Sequence, residues 1–151
     1  MEVFNIKDKQ SYLREVFSLT QQEWGEYRDM AEFEEKVNRK IERALSLFEE
    51  QNFCIFILLD EEELIGFISI TPTGAEEKSE LSPWYSTMYV KKEYRGNGYS
   101  KKLNAVILKE AKERGFERIF LKSYLVNYYE KFGARYIEKL SNGESLYCID
   151  L

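Results

Sequence analysis

The chain has no histidine among its 151 residues. That absence excludes a His-dependent catalytic triad, a histidine general base and every histidine-ligated metal site. Acid–base chemistry must then fall to carboxylates, Tyr, Lys, Cys or water. Cysteine is scarce. Cys54 and Cys148 both fall inside apolar, strand-like runs without metal-ligand spacing, so they read as reduced core residues of a cytoplasmic protein and no metal is expected. Long apolar runs are missing too. Nothing approaches the roughly 20 residues needed to cross a bilayer, and the opening "MEVFNIKDKQ" has no signal-peptide core, which argues against a membrane partner. A pI near 5.0, with no long basic stretch interleaved with stacking aromatics, argues against nucleic acid.

What is present suits a folded domain. Apolar residues make up 44% and aromatics 15% of the chain, and a length of 151 residues accommodates one domain, 1–151, with a real core. Charge is unevenly spread. Residues 1–80 hold 9 Lys+Arg against 19 Asp+Glu, a net −10, while residues 81–151 hold 13 against 8, a net +5. Two readings stay open: ordinary solvated surface, or a basic half meeting an anionic ligand with an acidic half facing something cationic.

Periodicity orders the elements. "VFNI" reads as a first short strand. Leu13, Val16, Phe17 and Trp24 recur at helical spacing between Gln10 and Trp24. Phe33, Val37, Ile41, Ala44, Leu45 and Phe48 form one face of a second helix, Ala31 to Glu50. "FCIFILL" is a strand buried on both faces, "DEEE" a turn, "LIGFISIT" the returning strand, and "WYSTMYV" a third strand after a polar loop. Leu103, Val106, Ile107 and Ala111 line a helix that stops at Gly115. "RIFLKS" is another strand, "LVNYYEKFG" a short helix, and two strands around Asn142-Gly143 make a closing hairpin. The order predicts a mixed α/β sheet with helices on both sides.

The stretch "VKKEYRGNGYSKKL" is the most telling. Asn-Gly usually marks a hairpin, but a helical pattern follows here, not a strand. Strand, glycine-rich turn and helix is the context of a phosphate cradle: Gly96 and Gly98 let a pyrophosphate approach backbone N–H groups, the helix dipole adds partial positive charge, and Arg95, Lys101 and Lys102 supply full charges. A tight strand–helix turn is the plain alternative.

These residues resemble motif A of the GNAT superfamily of N-acetyltransferases, Gln/Arg-x-x-Gly-x-Gly/Ala. Arg95, Gly98 and Ser100 stand at its three fixed positions, Ser100 departing from the usual Gly or Ala. "VNYYEKFGARYIE" is similar to a later GNAT segment in which Asn precedes a Tyr-Glu-Lys-x-Gly-Phe helix end; here Ala134 replaces Phe and the step from Asn127 to Tyr129 is shorter. "ELSPWYSTMYV" resembles the Leu-Thr-Pro-Trp approach to the central strand of some bacterial members. The resemblance implies a splayed mixed sheet of about six to seven strands with about four helices, acetyl-CoA as cosubstrate, and direct acetyl transfer to a primary amine of a small molecule or peptide. Met88, Tyr89, Val90, Arg95, Gly96, Asn97, Gly98, Tyr99, Ser100, Lys101 and Asn127 would hold acetyl-CoA, the pantetheine adding beside Met88–Val90 like a strand. Tyr129 matches the general acid, with Tyr128 as its neighbouring rival. Glu80 is the expected base, and Trp84 and Tyr85 the expected lining of the acceptor pocket. The N-terminal helices would form the acceptor wall, and their negative balance would favour a cationic amine; a homodimer is left open. Two other readings stand beside this one: a CoA-binding sensor without turnover, and a protein-interaction domain in which "RGNG" is only a turn.

Overall fold

A computed structural model describes residues 1–151. Seven strands form one sheet: β1 (Glu2–Asn5), β2 (Cys54–Asp60), β3 (Glu63–Thr71), β4 (Trp84–Val90), β5 (Arg118–Ser123), β6 (Ala134–Lys139) and β7 (Ser145–Asp150). Their order is β1-β2-β3-β4-β5-β7-β6, antiparallel except for β4 beside β5. Three α-helices cover the sheet: α1 (Leu13–Trp24), α2 (Met30–Leu47) and α3 (Tyr99–Glu113).

The alternation of side chains sorts the core onto the two faces. Ile55, Ile57, Leu59, Leu64 and Phe67 pack under α1 and α2 through Leu13, Val16 and Ala44. Ile65, Ile68, Ile70, Ile119, Leu121 and Ile149 pack under α3 through Leu103, Ile107 and Ala111. Because β2 and β3 are covered on both faces, they read as continuous apolar runs. Asp29 caps α2, its carboxylate accepting from the Glu32 N–H at 2.9 Å. At the other end of α3, Phe116 N–H donates to Ala111 O at 3.2 Å and Gly115 N–H to Lys112 O at 3.0 Å, the Schellman closure expected at Gly115.

Two expectations are corrected. There are three α-helices, not about four, because "LVNYYEKFG" does not form an α-helix. Asn127 has φ +58, which interrupts any helix, and only a 3-10 turn, Tyr129–Phe132, follows. Trp24 continues the apolar stripe of α1 yet is 53% exposed, because the stripe runs past the core and overhangs the end of β4, where Trp24 meets Tyr89 edge to face at 6.1 Å.

Candidate functional site

The site begins with a fault in β4. The register of β3 on β4 shifts by one residue between Phe67 and Ser69, and Thr87 takes φ +48 there. Such a bulge bends its strand. β4 and β5, the only parallel neighbours, pair solely at Trp84↔Phe120, while β5 stays paired with β7 along its whole length. The two strands therefore part toward Val90. Lys91 N–H donates to Ile65 O at 3.0 Å. Antiparallel alternation then turns the backbone N–H groups of Met88 and Val90 away from β3, into the gap.

At the mouth of the gap lies the Arg95–Gly98 turn. Gly96 and Gly98 hold φ +81 and +80, conformations that favour glycine, and a Cβ at either would meet nothing within 4 Å. The first α3 amide with an intrahelical partner is Lys102 N–H, which donates to Gly98 O at 3.2 Å; the N–H groups of residues 96–101 donate to no backbone carbonyl. Unpaired N–H groups in front of a helix dipole, with open space before them, fit a pyrophosphate. Two side chains brace the turn. Arg95 Nε donates to Val90 O at 2.8 Å, and Asn97 Nδ2 donates to Tyr94 O at 3.0 Å.

A cleft of about 410 Å³ joins these parts. Of the residues singled out in the sequence, it brings together Met88, Tyr89, Val90, Arg95, Gly96, Gly98, Tyr99, Ser100 and Tyr129. Asn97, Lys101 and Asn127 do not line it: Asn97 is turned onto its own loop, and Lys101 and Asn127 are exposed. Glu80 is exposed in the loop before β4, outside the cleft. Trp84 is buried against Phe120, Leu140, Leu146 and Cys148, and its Nε1 donates to Leu81 O at 2.8 Å. Tyr85 lies on the α3 face, its hydroxyl buried without a partner and its ring 5.8 Å from that of Tyr129.

Tyr129 sits at the end of the gap with its ring 4.8 Å from Tyr128, which also lines the cleft. Burial, then the neighbouring Tyr128, pushes the Tyr129 phenol up to about 12, so it stays protonated at neutral pH. Glu23 and Trp24, from the overhanging end of α1, complete the wall. Neither was singled out as a site residue, since both continue an ordinary amphipathic pattern; the one signal was a large aromatic at the last turn of α1, directly before Gly25. The cysteines are elsewhere: both are free and buried, and burial raises the Cys54 thiol to about 11. No three Cys, Asp or Glu side chains are grouped so as to hold a metal ion, and no helix is long and apolar enough to cross a membrane.

A free strand edge running into a helix-mouth cradle is the layout of a protein that takes an extended anionic ligand into a split sheet. The model of the acetyltransferase (GNAT) family matches residues 13–134. The chain belongs to that family and is an N-acetyltransferase of the GNAT type. Solved structures share its fold. A similar one is an aminoglycoside 6'-N-acetyltransferase complexed with coenzyme A, 18% identical with TM-score 0.72, covering 99% of this chain and 97% of that one. Another is the PaiA N-acetyltransferase of Thermoplasma acidophilum in complex with coenzyme A, 17% identical, TM-score 0.64, with full coverage of both chains (100% and 100%). A third is the aminoglycoside 6'-N-acetyltransferase of Enterococcus faecium, 16% identical, TM-score 0.70, covering 99% and 97%. No curated protein matches the chain in sequence.

Proposed function

We propose that the protein transfers the acetyl group of acetyl-CoA directly to a primary amine of a small molecule or peptide. One observation carries the reading: a single cleft holds a free strand edge, a mouth of unpaired N–H groups and a protonated phenol. The pyrophosphate is held by the N–H groups of residues 96–101. The pantetheine lies along Met88–Val90, and the Val90 N–H stabilises the thioester oxygen as it becomes an oxyanion.

Glu23 is the carboxylate that lines the cleft, so the amine loses its proton there and not at Glu80, which lies outside it. The carboxylate passes that proton to water, the free amine attacks the carbonyl carbon, the tetrahedral adduct gives its second proton to the regenerated carboxylate or to water, and the C–S bond breaks. Tyr129 serves the departing sulfur. A thiol titrates near 8.5, so full proton transfer from a phenol at about 12 is uphill by roughly 5 kcal/mol. Tyr129 therefore acts by donating a hydrogen bond to the thiolate, and the sulfur takes its proton from solvent as CoA leaves.

The test is calorimetric titration with acetyl-CoA and CoA of the wild type and of Gly98→Glu, followed by an amine library scored by thiol release. Micromolar binding lost in the folded variant, together with thiol release, supports the reading. Absent CoA binding by folded wild type would overturn it. Binding without turnover of any amine would instead indicate a CoA sensor.

A further inference from the structure

A second cavity, of about 370 Å³, lies between the sheet and helices α1 and α2. Its floor is hydroxylic. Ser69 and Thr71 come from β3, Ser86 and Thr87 from the bulged part of β4. These groups are linked: Ser69 Oγ donates to Ser86 O at 3.1 Å and bonds Thr87 Oγ1, and Thr71 Oγ1 lies 3.0 Å from Ser86 Oγ. The α2 wall presents two cations, Lys40 and Arg43, and no Asp or Glu lines the cavity.

The other cations of α2 are paired. Lys36 pairs with Glu32 at 3.1 Å and Arg39 with Glu35 at 3.1 Å. Lys40 and Arg43 have no carboxylate partner; Arg43 reaches only Thr73 Oγ1, at 3.5 Å. Burial, then the repulsion of Lys36 and Arg43, lowers the pKa of half-buried Lys40, a penalty that a bound anion would relieve. Two unpaired cations above a hydroxyl floor make a receptor for a carboxylate or phosphate.

The second cavity adjoins the cleft. Thr87 lines one and Met88 the other, and Phe67 of the second stacks on Tyr89 of the first at 5.3 Å. A small molecule anchored beside Thr87 lies at the residue next in sequence to the strand edge at Met88–Val90. None of the acids of the N-terminal half lines this cavity, and several are held elsewhere. Glu15, Glu32, Glu34, Glu35 and Glu49 are engaged in ion pairs with Lys91, Arg28, Arg14, Arg39 and Lys7.

Resting on the acetyltransferase reading, we propose that this cavity grips the acceptor by an anionic group, so that the substrate is an amine that also carries a carboxylate or phosphate, as an amino acid does, and not a polycation. The amine then faces the cleft and the anion lies between Lys40 and Arg43.

The experiment is an NMR titration of ¹⁵N-labelled protein saturated with CoA, which keeps anions out of the Gly96–Gly98 cradle. The probes are N-acetylglycine, inorganic phosphate and, as neutral control, acetamide. The expected result is millimolar shifts at the Ser69, Ser86 and Thr87 amides with an anion and not with acetamide. They weaken by about tenfold in Lys40→Gln/Arg43→Gln and survive in Lys40→Arg. The stronger of the two anions tells carboxylate from phosphate. Equal response to acetamide, no response at these amides, or indifference to the double substitution overturns the proposal. In turnover, amino acids should beat their amides, and the double variant should erase that preference. If CoA itself fails to bind, the acetyltransferase reading falls, while the anion titration still reads this cavity by residue.

Discussion

In the proposed mechanism Tyr129 and Glu23 divide the proton work. Tyr129 is half-buried beside Tyr128 and held protonated, with its phenol raised to about 12. Removing its hydroxyl, Tyr129→Phe, should lower kcat by about 100-fold with little change in acetyl-CoA affinity, because the bond it makes to sulfur forms late. Steady-state kinetics beside calorimetry separates the two. The raised pKa also has a sign. Since the unfolded chain releases the phenolic proton near pH 10 and the folded one near 12, stability is unaffected by this group below about 10 and falls between about 10 and 12. An alkaline loss of kcat at pH 8–9 would thus belong to another group, and it should persist unchanged in Tyr129→Phe. Glu23→Gln should depress kcat/KM most at low pH, where the amine most needs a base, whereas Glu80→Gln should leave the pH–rate profile as it is. The reverse pattern would move the base back to the β4 loop.

At the scale of elements, α3 is the foundation of the cradle. Leu103, Ile107 and Ala111 are fully buried in the core, and they fix the helix whose first amides face the gap. Ile107→Ala should cost about 2–5 kcal/mol of stability, seen in chemical denaturation as a lower midpoint with an unchanged slope. The element order was legible in the sequence because the strands are either continuous apolar runs or alternate, and because α2 and α3 carry clean apolar faces. The glycine-rich turn that opens α3 was legible too, since glycine spacing and a following helix specify it locally. The rest was not, for identifiable reasons. A one-residue bulge at Thr87 leaves no mark on composition, and only the paired register of β3 shows it. The 3-10 turn at Tyr129 shares its residues with a plausible helix until Asn127 breaks it. Trp24 matches the core stripe of α1, so its overhang depends on where the sheet ends. Lys40 and Arg43 look like any solvated charges on a helix; what marks them is the absence of partners, which the sequence pattern does not encode.

At the scale of the molecule, the ligand and the fold are thermodynamically linked. CoA at about 100 times its Kd should add about 2.7 kcal/mol to stability. For a chain of this length that raises Tm by roughly 5–10 °C. Differential scanning calorimetry should find the rise in wild type and its loss in Gly98→Glu. The charge pattern also resolves at this scale. Several acids of α1 and α2 tie the helices to one another and to the rest of the chain, as in Glu34 with Arg14 and Glu15 with Lys91, and none lines the sheet-facing cavity, whose charged residues are Lys40 and Arg43. A molecule can thus be acidic in sum and still present two cations, Lys40 and Arg43, in one cavity.

The lone rung between β4 and β5 makes this sheet two leaves joined at a spine, β1–β4 on one side and β5–β7 on the other. A pantetheine bonded to the β4 edge is then a splice across the open pages as well as a substrate. Amide hydrogen exchange in the two leaves should be uncoupled above the Trp84↔Phe120 rung in the free protein and slow together once CoA is bound, so that the cosubstrate completes the sheet that carries out its own chemistry.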